Sequence, residues 1–247
     1  VGLVWIAAKR SKMPQPLPLK AVIFAALGLF AYHALYFSAL KSAPAAEASL
    51  IAYLWPLFIV LGSAFLPGER LRWYHAAGAL LGMIGCALLV TGGRLDSFEG
   101  AHFTGYALAL CAAFTWAGYS LLSRAFADVP TQLVTVSCAI AAILSAIASL
   151  WLEPVAWALS PLQWASLVGL GLLPLGGAFY VWDYAVKFGD IQWIGTASYA
   201  APLISTLILV AVGIADPAPG LFVACALIVG GALLASGRLA KKAQDPA

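Results

Sequence analysis

Charge is the scarcest property of this sequence. Of its 247 residues only 9% are Asp, Glu, Lys or Arg, while 63% are hydrophobic and the mean hydropathy is +0.96. A soluble domain carries about a quarter charged residues, so a water-exposed surface is excluded and the chain reads as a membrane protein. The basic residues never gather into a patch interleaved with exposed aromatics, and no nucleic-acid partner is expected. Cysteine is also rare. Cys86, Cys111, Cys138 and Cys225 fall inside separate apolar runs without CxxC or Cys/His spacing and read as small buried hydrophobes. The three histidines, His33, His75 and His102, lie in different regions, so no metal site is indicated. No Gly-x-Ser-x-Gly elbow, P-loop or GxGD element occurs, and Asp183 and Asp190 lie seven apart near a span's end, where convergence is poor. An intramembrane enzyme is therefore the rival of another class rather than the expectation, and no cofactor is implied.

Long apolar runs supply what the charges do not. A helix needs about 20 residues to cross about 30 Å of hydrocarbon, and each run is far longer than a barrel strand of roughly ten residues. The fold class is all-α and polytopic, because only helices of this length satisfy their own backbone in lipid. Spans are expected near 20–40, 48–66, 74–91, 104–123, 131–151, 162–184, 192–213 and 219–237. The stretch Val1–Ala8 reads as the tail of an earlier span, and ten spans are expected in the intact protein, about eight of them complete here. The whole of 1–247 is then one transmembrane domain, with the bilayer as its solvent and a monomer as the expected state.

The few cations sort by side. Alternate loops carry Lys9, Arg10, Lys12 and Lys20, then Arg70 and Arg72, Arg124, Lys187, and finally Arg238, Lys241 and Lys242; the other set holds only Lys41 and Arg94. The positive-inside rule puts the richer set, with the C-terminus, in the cytoplasm of a multi-pass plasma membrane protein, the inner membrane of a bacterium.

The chain also resembles itself. Ala39, Leu40 and Lys41 recur as Ala185, Val186 and Lys187, and Tyr53, Pro56 and Leu57 recur as Tyr199, Pro202 and Leu203, at an offset of 146. Gly85, Ala87, Leu88, Leu89 and Gly92 match Gly230, Ala232, Leu233, Leu234 and Gly237 at 145. Lys41 and Lys187 fall on opposite sides, so the halves, 1–92 and 104–238, are expected to be inverted five-helix repeats, the first lacking its earliest spans. Inverted repeats are a recurrent plan of secondary transporters, with the substrate at the midplane between halves.

These features carry a resemblance to a known family. Phe37, Ser38, Ala39 and Leu40 end one span, Ala45 and Ala46 lead into a span with Pro56 at its middle, Gly68 and Glu69 follow in the next loop, and Gly78, Gly82 and Gly85 stud the span after it. In this the chain resembles the drug/metabolite transporter superfamily, EamA-like branch. The clusters Tyr32, His33, Tyr36 and Tyr53, Trp55, Pro56 look most like the aromatic amino-acid exporters of that branch. The resemblance implies ten helices in two inverted halves and export of amino acids; a multidrug or other metabolite exporter of the same superfamily is the alternative.

Candidate substrate contacts follow from depth and helical spacing. Tyr32, His33, Tyr53, Trp55 and Trp116 lie too deep for an interfacial belt, and Tyr36, Tyr119, Ser198 and Tyr199 join them from the polar faces of their spans, whereas Trp5, Trp73, Trp151, Trp157, Trp164 and Trp193 suit a belt. Tyr180, Asp183 and Tyr184 are a further polar stripe, on which Asp183 and Lys187 read as a local ion pair. Pro56 and Pro202, with Gly176 and Gly177 beside Pro174, are the expected hinges, because each proline removes a backbone hydrogen bond from its helix. No Asp, Glu, Lys or Arg falls at the midplane, and His33 is the one titratable side chain near it. A neutral or zwitterionic molecule with an apolar side chain suits such a site, and a neutral amino acid fits; an acidic group for drug cations is missing.

Overall fold

The computed structural model describes residues 17–92, 100–152, 158–213 and 220–237. Val1–Ala8, Trp5, Trp157, Arg94 and the cluster Arg238, Lys241 and Lys242 lie outside them. Every regular element among the described residues is helical: α1 (Leu19–Ser42), α2 (Ala45–Ala52), α3 (Trp55–Gly62), α4 (Trp73–Thr91), α5 (Phe103–Ala125), α6 (Leu133–Leu152), α7 (Pro161–Leu172), α8 (Ala178–Phe188), α9 (Ile191–Ala197), α10 (Ala200–Ala211) and α11 (Gly220–Ala235). Some of these are halves of one span. Joined across their interruptions, the helices give seven spans long and apolar enough to cross a membrane, and α11 is a shorter apolar helix of 16 residues. The fold is that of an all-α polytopic membrane protein, with its spans where hydropathy puts them.

The outside of the bundle is apolar because lipid is its solvent. Ile23, Leu27, Ile84, Phe114, Ile147 and Val181 all face outward, and α7 buries none of its residues. With no hydrophobic force pulling helices together in lipid, close approach of small residues has to do that work. It does so in two places. Between α4 and α11, a Cβ on Gly78 would stand 2.5 Å from the Gly231 carbonyl oxygen, so those backbones are in contact. Between α1 and α5, a Cβ on Gly105 would stand 2.5 Å from that of Ala43, beside a cluster of Ala39, Ala43, Ala48 and Ala109.

Three spans are interrupted, each at a proline. The α2/α3 span breaks at Tyr53–Leu54, just before Pro56, and the α9/α10 span breaks at Ser198–Tyr199, just before Pro202. Each proline lacks the N–H that would have bonded four residues back, at Ala52 and Ser198, so the break falls on the preceding turn. The third interruption is a π-helical turn, Leu173–Gly177, where Pro174 removes a bond and the helix winds wide for one turn before α8. Backbone geometry also pairs up across the chain. Gly68 and Gly213 have φ of 82° and 74°, Gly92 and Gly237 have 61° and 67°, and each pair is 145 residues apart.

Candidate functional site

The three interruptions converge on one cavity of about 610 Å³, inside the roughly 300–1,000 Å³ range of small-molecule sites. Residues of α1, of both interrupted pairs, of α5 and of the π-helical turn with α8 form its wall. No Asp, Glu, Lys or Arg is among the described residues lining it.

Of the residues singled out from the sequence, Tyr32, His33, Tyr36, Tyr53, Trp55, Trp116 and Ser198 are brought together in this wall. Their rings touch one another. Tyr32 lies 4.9 Å from Trp116 and 6.0 Å from Tyr36, between centroids, and His33 lies 5.7 Å from Phe179. Trp55, Trp116 and Trp182 form a triangle with sides of 5.3, 5.8 and 6.3 Å, an aromatic floor. Gly176 and Gly177 sit in the π-helical turn beside Pro174 and Leu175, which line the cavity.

Two of the expected residues lie elsewhere. Tyr119 and Tyr199 are almost fully buried and outside the wall. Tyr119 packs its ring over Gly28 of α1, 3.2 Å from where a Cβ would be, and Tyr199 fills the space beside Gly82 of α4. Both are packing tyrosines, seated in notches that glycines open in the neighbouring helix. The α8 stripe is displaced too. Tyr180 bonds Thr135 at 2.8 Å and Tyr184 is exposed on the bundle's outside, whereas Phe179 and Trp182 face the cavity. Hydroxyls drew attention to the polar stripe, but the neighbouring spacing 175, 178, 179, 182 carries the wall. Asp183 and Lys187 form a buried i, i+4 pair at 2.8 Å, with the ammonium also on the Val129 carbonyl at 2.8 Å.

Hydrogen bonding decides what the wall offers a ligand. His33 Nδ1 lies 2.7 Å from the Leu29 carbonyl, an acceptor only, so Nδ1 carries the proton. In the neutral ring Nε2 is then the acceptor. Ser198 commits its proton to the Ile194 carbonyl at 2.8 Å and likewise presents lone pairs. Trp182 Nε1 donates to Ser120 at 3.0 Å, fixing its ring against the floor. Tyr36 and Ser49 share a bond of 3.1 Å that ties α1 to α2 across the wall. Acceptors thus stand on His33 and Ser198, and hydroxyl or indole groups on Tyr32, Tyr53, Trp55 and Trp116.

A bundle of apolar helices whose interrupted spans meet at a cavity with no charged side chain among its described lining residues fits a polytopic membrane carrier of small molecules. The model of the EamA-like transporter family matches residues 1–91 and 103–237, and the chain belongs to that family. It is 52% identical over 211 residues to an aromatic amino acid exporter, YddG, of Ancylobacter novellus, covering 85% of this chain and 73% of that protein. It is 27% identical to the aromatic amino acid exporter YddG of Escherichia coli, over 77% of this chain and 66% of that protein. A solved crystal structure superposes with a TM-score of 0.90 at 47% identity, covering 95% of this chain and 83% of the other.

Proposed function

We propose that the protein is a secondary exporter of aromatic and other large neutral amino acids, working by alternating access as a facilitator or exchanger. The observation that carries this reading is the cavity: aromatic walls, no charged side chain among its described lining residues, and both donors and acceptors within it. An amino acid is a zwitterion with an apolar side chain. Its ammonium suits the lone pairs of His33 Nε2 and Ser198, with the Tyr32 ring for cation–π contact. Its carboxylate suits the hydroxyls of Tyr53 and Tyr32 and the indole N–H groups of Trp55 and Trp116, and its side chain can stack on the tryptophan floor. Tyr119 and Tyr199 have no part in this site. The names of both exporters to which the chain is similar support the same substrate class.

The wider plan is part of the proposal. Breaks before Pro56 and Pro202, and glycines of matching φ 145 residues apart, support two inverted halves, 1–92 and 104–238. The halves rock about the cavity, flexing at Pro56, Pro202 and the turn containing Gly176 and Gly177. The Arg124 end faces the cytoplasm of a bacterial inner membrane, the C-terminus with it, and the unit is a monomer.

The test is counterflow of labelled amino acids into liposomes holding the full-length protein. Labelled tryptophan or phenylalanine is expected to accumulate above empty liposomes, and Trp116→Ala and Tyr53→Ala are each expected to lower the rate about tenfold or more, the loss of one good contact. Absence of amino-acid flux would sink the substrate class. Flux untouched by both substitutions would move the site elsewhere.

A further inference from the structure

Beyond the cavity, one polar assembly joins several spans, and it lies wholly at one end. Glu69, in the segment between α3 and α4, receives bonds on both carboxylate oxygens. Arg124, at the end of α5, donates to Oε1 from Nε at 3.1 Å and from Nη2. Gln192, in the first turn of α9, donates to Oε2 at 3.2 Å and to Ser63 Oγ at 3.1 Å. The remaining Nη1 of Arg124 reaches the carbonyls of Val186, Lys187 and Gly189, the last of α8 and its cap, at 3.3 Å for the first and 3.1 Å for the third. One guanidinium therefore satisfies carbonyls that a helix C-terminus leaves unbonded, and also the carboxylate of another span. Four spans are tied at one place.

The cavity lies towards the opposite end. Tyr32 and Tyr36 are nearer Lys41 than Lys20 along α1, and the tryptophan floor packs into the core of Leu29, Ile59, Val186 and Ile191. Below that core comes the Glu69 assembly. For the cavity to open that way, α8 and α9 must part from α3 and α5, and the bonds from Gln192 to Glu69 and Ser63, with those from Arg124 to the carbonyls ending α8, cross that seam. The burial of the two ion pairs differs in a telling way. Asp183 and Lys187 are 1% exposed and lie on one helix, so no rigid-body motion separates them. Glu69 and Arg124, together on the α3 and α5 side of the seam, are 15% and 25% exposed, and their bonds to Gln192 and to the α8 carbonyls run across it. Groups with that exposure can release α9 and the end of α8 into water, whose hydration offsets most of the lost attraction, whereas fully buried ones cannot.

Resting on the alternating-access reading, we propose that Glu69, Arg124 and Gln192 form a latch. It holds the Arg124 end shut while the cavity faces the Lys41 end, and it parts once in every transport cycle. Its strength sets the balance between the two facing states.

The test reads that balance without any substrate, so it stands or falls apart from the substrate assignment. In full-length protein with its native cysteines replaced, a single cysteine at Ala197 in the cavity wall is labelled by a membrane-impermeant maleimide. Right-side-out and inside-out vesicles are compared. Glu69→Gln keeps the shape and removes the charge; it is expected to raise labelling from the Arg124 face on the order of tenfold, the equivalent of losing one charge-assisted contact, and to lower it from the other. Glu69→Asp restores most of the wild-type pattern. Gln192→Leu, which leaves the Arg124 contact in place, shifts labelling the same way by less and serves if Glu69→Gln does not fold. Labelling equal to wild type on both faces in either folded variant overturns the latch, as does a fall on the Arg124 face.

Discussion

Asp183 and Lys187 show what a charge costs inside this molecule. Neither can reach water, and the pair persists because the ammonium meets both the carboxylate and the Val129 carbonyl. Removing one member is worse than removing both. Asp183→Asn leaves a buried ammonium short of its counter-charge and is expected to cost about 3–5 kcal/mol, seen as a lower midpoint of thermal unfolding in detergent. Asp183→Asn with Lys187→Met is expected to recover most of that loss, because the coupled pair is then removed together. A double variant no better than the single one would mean that the ion pair is not what holds this end of α8. The same comparison of chemistry with position explains the tyrosines. Tyr32 and Tyr119 carry identical groups, and the sequence cannot say which ring meets the cavity. Gly28 could have said it: a glycine four residues before Tyr32 on α1 makes a notch, and the ring facing a notch is packed rather than free.

At the scale of elements, glycine sets the distance between helices. Gly78 of α4 lies against the Gly231 carbonyl oxygen and the Ala235 nitrogen, with a Cβ placed 2.5 and 2.8 Å from backbone atoms that cannot swing aside. Gly78→Ala is expected to force α4 and α11 apart and to lower stability by about 1–3 kcal/mol, as overpacking does. Gly230→Ala, one residue from Gly231 but with open space around its Cβ, is expected to leave the unfolding midpoint within a degree or two or to raise it slightly, since alanine is the better helix former. Equal effects of the two would show that propensity, not contact, governs this helix pair. Elements of this kind were largely legible in the sequence. Each of the eight spans expected between 20 and 237 has its helix or pair of helices, because long apolar runs leave the backbone little choice. The breaks fall a turn before Pro56 and Pro202, since a proline disturbs the carbonyl four residues behind it. The wall of α8 was missed by one helical position, as Tyr180 and Tyr184 outrank Phe179 and Trp182 in polarity while only packing decides which stripe turns inward.

For the whole molecule, the distribution of charge constrains what can drive transport. The ion pairs among the described residues lie in the Arg124 half of the bundle, at Glu69 with Arg124 and at Asp183 with Lys187, and neither reaches the cavity wall. A proton-coupled carrier needs a group that changes charge while exposed to the cavity, and His33 is the one imidazole or carboxyl side chain among the described residues lining it. Its Nδ1 proton is held by the Leu29 carbonyl, and no carboxylate stands among the described residues of the wall as a partner for proton relay. A substrate gradient should therefore suffice. In proteoliposomes, unlabelled amino acid on the far side is expected to accelerate uptake of label severalfold, whereas an imposed pH gradient without a substrate gradient is expected to produce no accumulation. His33→Gln is expected to weaken apparent affinity by roughly tenfold through loss of one acceptor and to leave this independence intact. Accumulation driven by the pH gradient in the wild type and lost in His33→Gln would make the histidine a proton carrier and overturn the assignment of facilitated exchange.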